Sequence, residues 1–152
     1  LRQPPGWMSG FIVGANAAFT HSSADVSRYD SASKAQLTRR TRMPGQSDTT
    51  LNLMLGYECG PFSTRLALNR KSKYLLQFGS DVTSAAQDQV VAGQRQVDLS
   101  VSVRITPSVQ LMFEGVNLNN EHYYTYVGAP SMNYQYEQYG RTYKVGLKAA
   151  LF

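Results

Sequence analysis

Six tyrosines fall between positions 123 and 139: Tyr123, Tyr124, Tyr126, Tyr134, Tyr136 and Tyr139, with His122 and Arg141 nearby. A tyrosine offers a broad, stiff face with a polar tip and loses few rotamers on binding. Such a set suits non-covalent capture of a metal chelate or a glycan, with Tyr123, Tyr124, Tyr126, Tyr134 and Tyr136 as the candidate anchors. It suits equally an aromatic belt at a membrane–water boundary, combined with ordinary loop packing. A second set is charged: Glu58, Arg65, Asp98, Arg104 and Glu114, each on the polar phase of an otherwise apolar alternation. Covalent chemistry has no comparable constellation. His21 and His122 lack a second ligand at metal-binding spacing. No Ser-His-Asp set, glycine-rich phosphate loop or paired-carboxylate cleft occurs, and Glu58 and Glu114 have no catalytic partner. The expectation is a protein that is not an enzyme, needs no cofactor and holds no metal directly.

The net charge is +5, and much of it gathers at Lys34, Arg39, Arg40 and Arg42. This stretch either contacts lipopolysaccharide phosphates by charge attraction or is a solvated loop. No aromatic-basic motif of an RNA-binding sheet is present, so nucleic acid is not an expected partner. The single Cys59 rules out an intrachain disulfide. The first twenty residues carry no starting Met, basic segment or signal-type apolar run. The opening LRQPPGW reads as a turn in mid-protein, so the expectation is a processed chain or a piece of a larger one. No apolar run reaches the ~18 to 20 residues of a transmembrane helix. That statement leaves strand-spanning membrane proteins open.

These residues must be positioned by strands, because the dominant period is two. Phe11 to Phe19, Thr50 to Glu58, Phe62 to Asn69, Gln96 to Ile105, Val109 to Glu114 and Thr142 to Leu151 each alternate apolar with polar or small residues. A short helix fits 85–92. Cys59-Gly60 and Thr106-Pro107-Ser108 are hairpin-length links. Their lengths predict Tyr57 opposite Phe62, Leu55 opposite Thr64, Ile105 opposite Val109 and Val103 opposite Leu111. Apolar sets then share a face, which a one-residue slip would destroy. The remaining links, 20–49, 70–95 and 117–138, are long, polar and free of strong periodicity. They all fall at the same end of the hairpins.

Strands of about ten residues with short turns at one end and long loops at the other follow the pattern of a transmembrane β-barrel. Lipid requires every backbone group to be paired, so such a sheet closes. The apolar face then meets lipid and the polar face lines a wet lumen. Aromatics belong near the strand ends: Trp7, Phe11, Tyr57, Phe62 and Phe152 at the short-turn end, Phe19, Tyr74, Tyr134 and Tyr139 at the long-loop end. Two other architectures fit the alternation. One is a soluble β-barrel or sandwich that turns Leu51, Leu53, Leu99, Val101 and Leu111 inward around an apolar ligand. The other is a closed eight-stranded outer-membrane barrel, which needs two more strands than the periodicity supplies.

Several stretches carry a family resemblance. Met43-Pro44-Gly45-Gln46-Ser47 leads into a strand. Tyr57-Glu58, a tight turn and Phe62-Ser63-Thr64-Arg65-Leu66-Ala67 form a hairpin. Phe113-Glu114-Gly115-Val116-Asn117-Leu118-Asn119-Asn120-Glu121 ends a strand in an Asn-Leu-x-Asn-Glu segment. Tyr136 to Tyr143 leads into a closing strand that ends on Phe152. In order and spacing, over nearly all of residues 1–152, these resemble the C-terminal barrel segment of a TonB-dependent outer-membrane receptor.

The resemblance implies an all-β, antiparallel up-and-down barrel in the bacterial outer membrane, of which this chain is the last six of 22 strands. It implies uptake of siderophore-iron, a cobalamin-like chelate or an oligosaccharide, by capture in the loops and plug-gated passage. The implied partners are outer-membrane lipid and lipopolysaccharide, the plug domain and remaining barrel strands, TonB through the N-terminal part, and the barrel-assembly machinery. The plug would dock on the lumen row Glu58, Arg65, Asp98, Arg104 and Glu114. An alternative for that row is a set of solvated cross-strand pairs, each of little energetic weight. Tyr143, Val145, Leu147 and Phe152 correspond to the terminal-strand assembly signal. Here the apolar phase runs through Leu147, Ala149 and Leu151, which leaves Phe152 one residue out. A bulge over 148–150 would restore it.

Overall fold

The computed structural model describes residue 6 and residues 9–150. In chain order the strands are β1 (Phe11–Phe19), β2 (Ala24–Asp30), β3 (Ala35–Thr41), β4 (Thr49–Cys59), β5 (Phe62–Lys71) and β6 (Tyr74–Gln77). They continue with β7 (Gln89–Val91), β8 (Gln94–Thr106), β9 (Val109–Val116), β10 (Tyr123–Val127), β11 (Asn133–Glu137) and β12 (Thr142–Ala149). The described chain is all-β, with one 3-10 turn at Ala85–Gln87 and no α-helix.

The six segments with strong period-two alternation form one antiparallel sheet, ordered β1-β4-β5-β8-β9-β12. Consecutive long strands are therefore neighbours throughout. The registers decide the faces. Val13 pairs with Leu55, Leu55 with Leu66, Leu66 with Leu99, Leu99 with Gly115 and Gly115 with Tyr143. One face is thus apolar from edge to edge. The other carries Asn16, Asn52, Asn69, Gln96 and the charged row.

Both hairpin registers differ in detail from expectation. In the first, Cys59 pairs with Phe62, Tyr57 with Thr64 and Leu55 with Leu66. The loop is Gly60-Pro61, with Gly60 at φ +55, a left-handed value that costs glycine nothing. The ladder therefore runs to Cys59, two residues from the expected register, and parity is kept because the shift is even. In the second hairpin Val103 pairs with Leu111 as expected, but Arg104 pairs with Gln110 and Thr106 with Val109. Ile105 is the extra residue of a bulge, which sharpens the local twist where the strand turns over.

The long links are not structureless. The first contains the β2–β3 hairpin, and the second and third supply a four-stranded sheet ordered β11-β10-β7-β6. The helix expected over 85–92 is instead the 3-10 turn followed by β7. These strands are short, and cross-link pairing holds them: Thr125 of β10 meets Val91 of β7 although they are far apart in the chain.

Burial separates the two sheets. Among the described residues the buried apolar side chains are Leu75, Val91 and Tyr126, all in the loop sheet. The long sheet buries none of its apolar side chains: Val13 is 78% exposed, Val145 75%, Leu147 66% and Leu55 49%. The inward-facing core of a soluble sandwich is absent from this face. Nor is the sheet closed, since β1 and β12 each have one neighbour among the described residues. Trp7, Leu151 and Phe152 lie outside the described residues. Tyr74 and Tyr134 belong to β6 and β11 of the loop sheet.

Candidate ligand-capture surface and polar wall

The tyrosines are positioned by β10 and β11, where Tyr124 pairs with Tyr136 and Tyr123 with Glu137. Alternation sends Tyr124 and Tyr126 to one face. The ring centroids lie 6.1 Å apart for Tyr124–Tyr126, 6.4 Å for Tyr124–Tyr136 and 5.2 Å for His122–Tyr136. Tyr123 takes the opposite face. There, with Tyr139, Asn117 and Glu121, it lines a groove of about 330 Å³. The five candidate anchors are thus not one surface. Tyr126 is 6% exposed and packs the loop-sheet core. The Tyr124 hydroxyl donates to the Pro130 carbonyl at 2.6 Å. Tyr134 and Tyr136 remain open to a ligand. Sequence cannot separate these roles, because 124/126 and 134/136 show the same alternation.

A larger groove, about 570 Å³, runs between the first link and the loop sheet, with His21, Arg40, Arg42, Tyr74, Asp88 and Tyr126 in its lining. Its walls are tied together by charge. Arg39 Nη1 lies 2.9 Å from Asp88 Oδ2, with the side chains only 14% and 8% exposed. The Arg39 guanidinium also sits 5.6 Å from the Phe78 ring centroid. Asp88 further accepts the Gly79 N–H at 3.3 Å. Arg42 pairs with Asp48, and Arg40 donates to Ser23 Oγ at 3.0 Å. Arg39 and Arg42 are therefore committed to intramolecular pairs, which leaves Arg40 and Lys34 of this stretch without a carboxylate partner among the described residues. Asp88 sits in a polar run without periodicity, so nothing in the sequence marks it as Arg39's partner. Burial, with a smaller contribution from Tyr123, raises the Tyr74 phenol above its usual value.

The charged row falls on one face, as the alternation requires. Glu58 accepts from Arg65 at 3.1 Å. Glu114 lies 3.7 Å from Lys144. Arg104 stands opposite Gln110. Asp98 has a different task. It accepts from Gln96 Nε2 at 2.9 Å and from the Asn117 backbone N–H at 2.9 Å.

Asn117 begins a latch that extends β8 beyond the end of β9. Asn117 and Asn120 adopt φ of +58 and +55, a region asparagine tolerates better than most residues. Asn119 Oδ1 accepts the Val97 N–H at 2.9 Å and its Nδ2 donates to the Arg95 carbonyl at 2.6 Å. Glu121 Oε1 accepts the Arg95 N–H at 2.9 Å. Side chains here stand in for a missing strand, and the whole set lies in the Asn-Leu-x-Asn-Glu segment that stood out in the sequence.

On the last strand, Tyr143, Val145 and Leu147 occupy the apolar face, and Tyr143 stacks on Phe113 at 6.2 Å. Pairing with β9 runs from Thr142 to Ala149 without a register shift. The phase of Phe152 lies outside the described residues. Among the described residues, no group of three or more His, Cys, Asp or Glu side chains is placed to hold a metal ion. No family model, no curated protein and no solved structure matches this chain.

Proposed function

We propose that this chain is the C-terminal barrel segment of a TonB-dependent outer-membrane receptor that imports a scarce nutrient. One observation carries the reading: a long antiparallel sheet in sequential order leaves its entire apolar face uncovered. In water, exposed apolar patches on monomers rarely exceed a few hundred Å². In lipid the same face is the favourable one. The height agrees. Val97 to Ile105 spans eight residue steps, about 27 Å along the strand and about 20 Å along the membrane normal at the ~40° tilt of such barrels. On this reading the open edges β1 and β12 pair with further barrel strands. The polar wall with Glu58, Arg65, Asp98, Arg104 and Glu114 faces a plug. The loop sheet, with Tyr134 and Tyr136 exposed, faces the medium and receives the cargo, a siderophore-iron complex, a cobalamin-like chelate or an oligosaccharide. The chain's own chemistry is capture and passage, with no covalent step.

The test is site-specific labelling of the full-length protein in vesicles, after Cys59→Ser. A fluorophore on Val101→Cys is expected to be quenched by nitroxides on lipid acyl chains, and one on Ser100→Cys to be quenched by aqueous iodide. Quenching of both positions only from water overturns the reading, as does a full-length protein that stays monomeric without detergent.

A further inference from the structure

The apolar face ends at the long-loop side in two arginines. Arg70 of β5 and Arg95 of β8 are direct cross-strand partners, and both lie on the apolar phase. The row beside them toward the short turns is Leu53, Leu68 and Val97. Facing cations across a ladder repel each other and weaken the pairing. Neither guanidinium makes an ion pair or hydrogen bond among the described residues, and both are exposed. Two like charges kept side by side without a counter-ion, at the rim of an apolar surface, call for an anion.

The surroundings define which anion. Arg70 and Arg95 line a groove of about 660 Å³ with Leu51, Leu68, Lys73 and Glu121. Lys73 adds a third exposed cation. Lys71 also borders the groove, but its ammonium lies 4.2 Å from the Tyr74 ring centroid. The Glu121 carboxylate accepts from the Arg95 backbone N–H at 2.9 Å and from Asn119 Nδ2 at 3.2 Å and forms no ion pair with either guanidinium, so one negative charge stands against Arg70, Arg95 and Lys73 in the groove. The groove therefore has Leu51 beside the arginines in the same cross-strand row and Leu68 in the next row of the apolar face, with the cations at its loop-side edge. Guanidinium forks match phosphate oxygens bidentately. We infer that Arg70 and Arg95, with Lys73, bind the phosphate headgroup of a membrane amphiphile whose acyl chains lie along Leu68, Leu51 and Val97.

This site rests on the membrane reading of the preceding subsection, and the two are separable by experiment. The full-length protein is reconstituted in vesicles of phosphatidylcholine alone and of phosphatidylcholine with a minor fraction of phosphatidic acid. Phosphatidic acid retained through a mild detergent wash is then measured. Wild type is expected to retain phosphatidic acid in preference to phosphatidylcholine. Arg70→Gln with Arg95→Gln is expected to lower that retention about tenfold, in line with the loss of charge-assisted bonds. The variant relieves a cross-strand repulsion, so it should insert as well as wild type. Lys148→Gln, on the polar face, should leave retention unchanged. Equal retention by the double variant overturns the site. Displacement of the lipid by equimolar inorganic phosphate also overturns it, because binding would then owe nothing to the acyl chains. Failure to float with either vesicle type removes both the site and the membrane reading, whereas insertion with equal retention removes the site alone.

Discussion

Among single residues, Asp88 bears the heaviest structural duty in the loop region. It neutralises a largely buried guanidinium and caps the Gly79 N–H. Truncating one member of a buried pair costs about 3–5 kcal/mol, because the other charge is left desolvated and alone. Asp88→Ala is therefore expected to free the β2–β3 hairpin from the loop sheet. Hydrogen exchange over residues 24–41 should accelerate, while β4 and β5 stay protected. Arg39→Ala with Asp88→Ala should be milder than Asp88→Ala alone, and that inequality is the check on the mechanism. Sequence reading assigns the same basic stretch to phosphate contact or to solvent. It cannot see the partner, because Arg39 and Asp88 meet only after two long links have folded against each other. The tyrosines teach the same lesson: burial of Tyr126 and exposure of Tyr134 are decided by the β7–β10–β11 stacking order, and local alternation carries no trace of it.

At the level of elements, the six long strands were readable because each repeats its period enough times to fix a face. The strands of the links are not: β6, β7, β10 and β11 are three to five residues long, too few to fix a period, and β2 and β3, at seven, mix charged and small residues. Register was readable only to within an even number of residues, as Cys59–Phe62 shows, because parity constrains faces and turn chemistry alone sets the offset. The Asn117–Glu121 latch is where local sequence and tertiary role coincide. Asn119→Ala removes the acceptor for Val97 N–H and the donor to Arg95 O. Both bonds are exposed, so water takes up the freed groups and each bond is worth about 0.5–1.5 kcal/mol. The expected result is faster amide exchange at Arg95 and Val97 with little change at Val101 and Val103. Uniform acceleration along β8 would mean that the latch holds the sheet as a whole.

For the molecule as a whole, the decisive property is the separation of its two surfaces, apolar on one side of the long sheet and polar on the other. A cation at the mid-height of a lipid-facing strand costs about 2–4 kcal/mol, while one facing a wet interior is nearly neutral. Val101→Arg should lower the unfolding free energy of the full-length protein in vesicles by that amount, read from denaturant titration, and Ser100→Arg, one position away, should barely move it. Equal effects at the two positions would contradict the proposed orientation. The buried residues Leu75, Val91 and Tyr126 lie outside the long sheet, so the loop region proposed for capture has a core of its own. On the proposed function, selection on cargo can then rework Tyr134, Tyr136 and the link lengths without disturbing the long strands. Divergence among descendants of such a protein should concentrate in the three links, and a transplanted β6–β7–β10–β11 unit should keep its shape on a foreign set of strands.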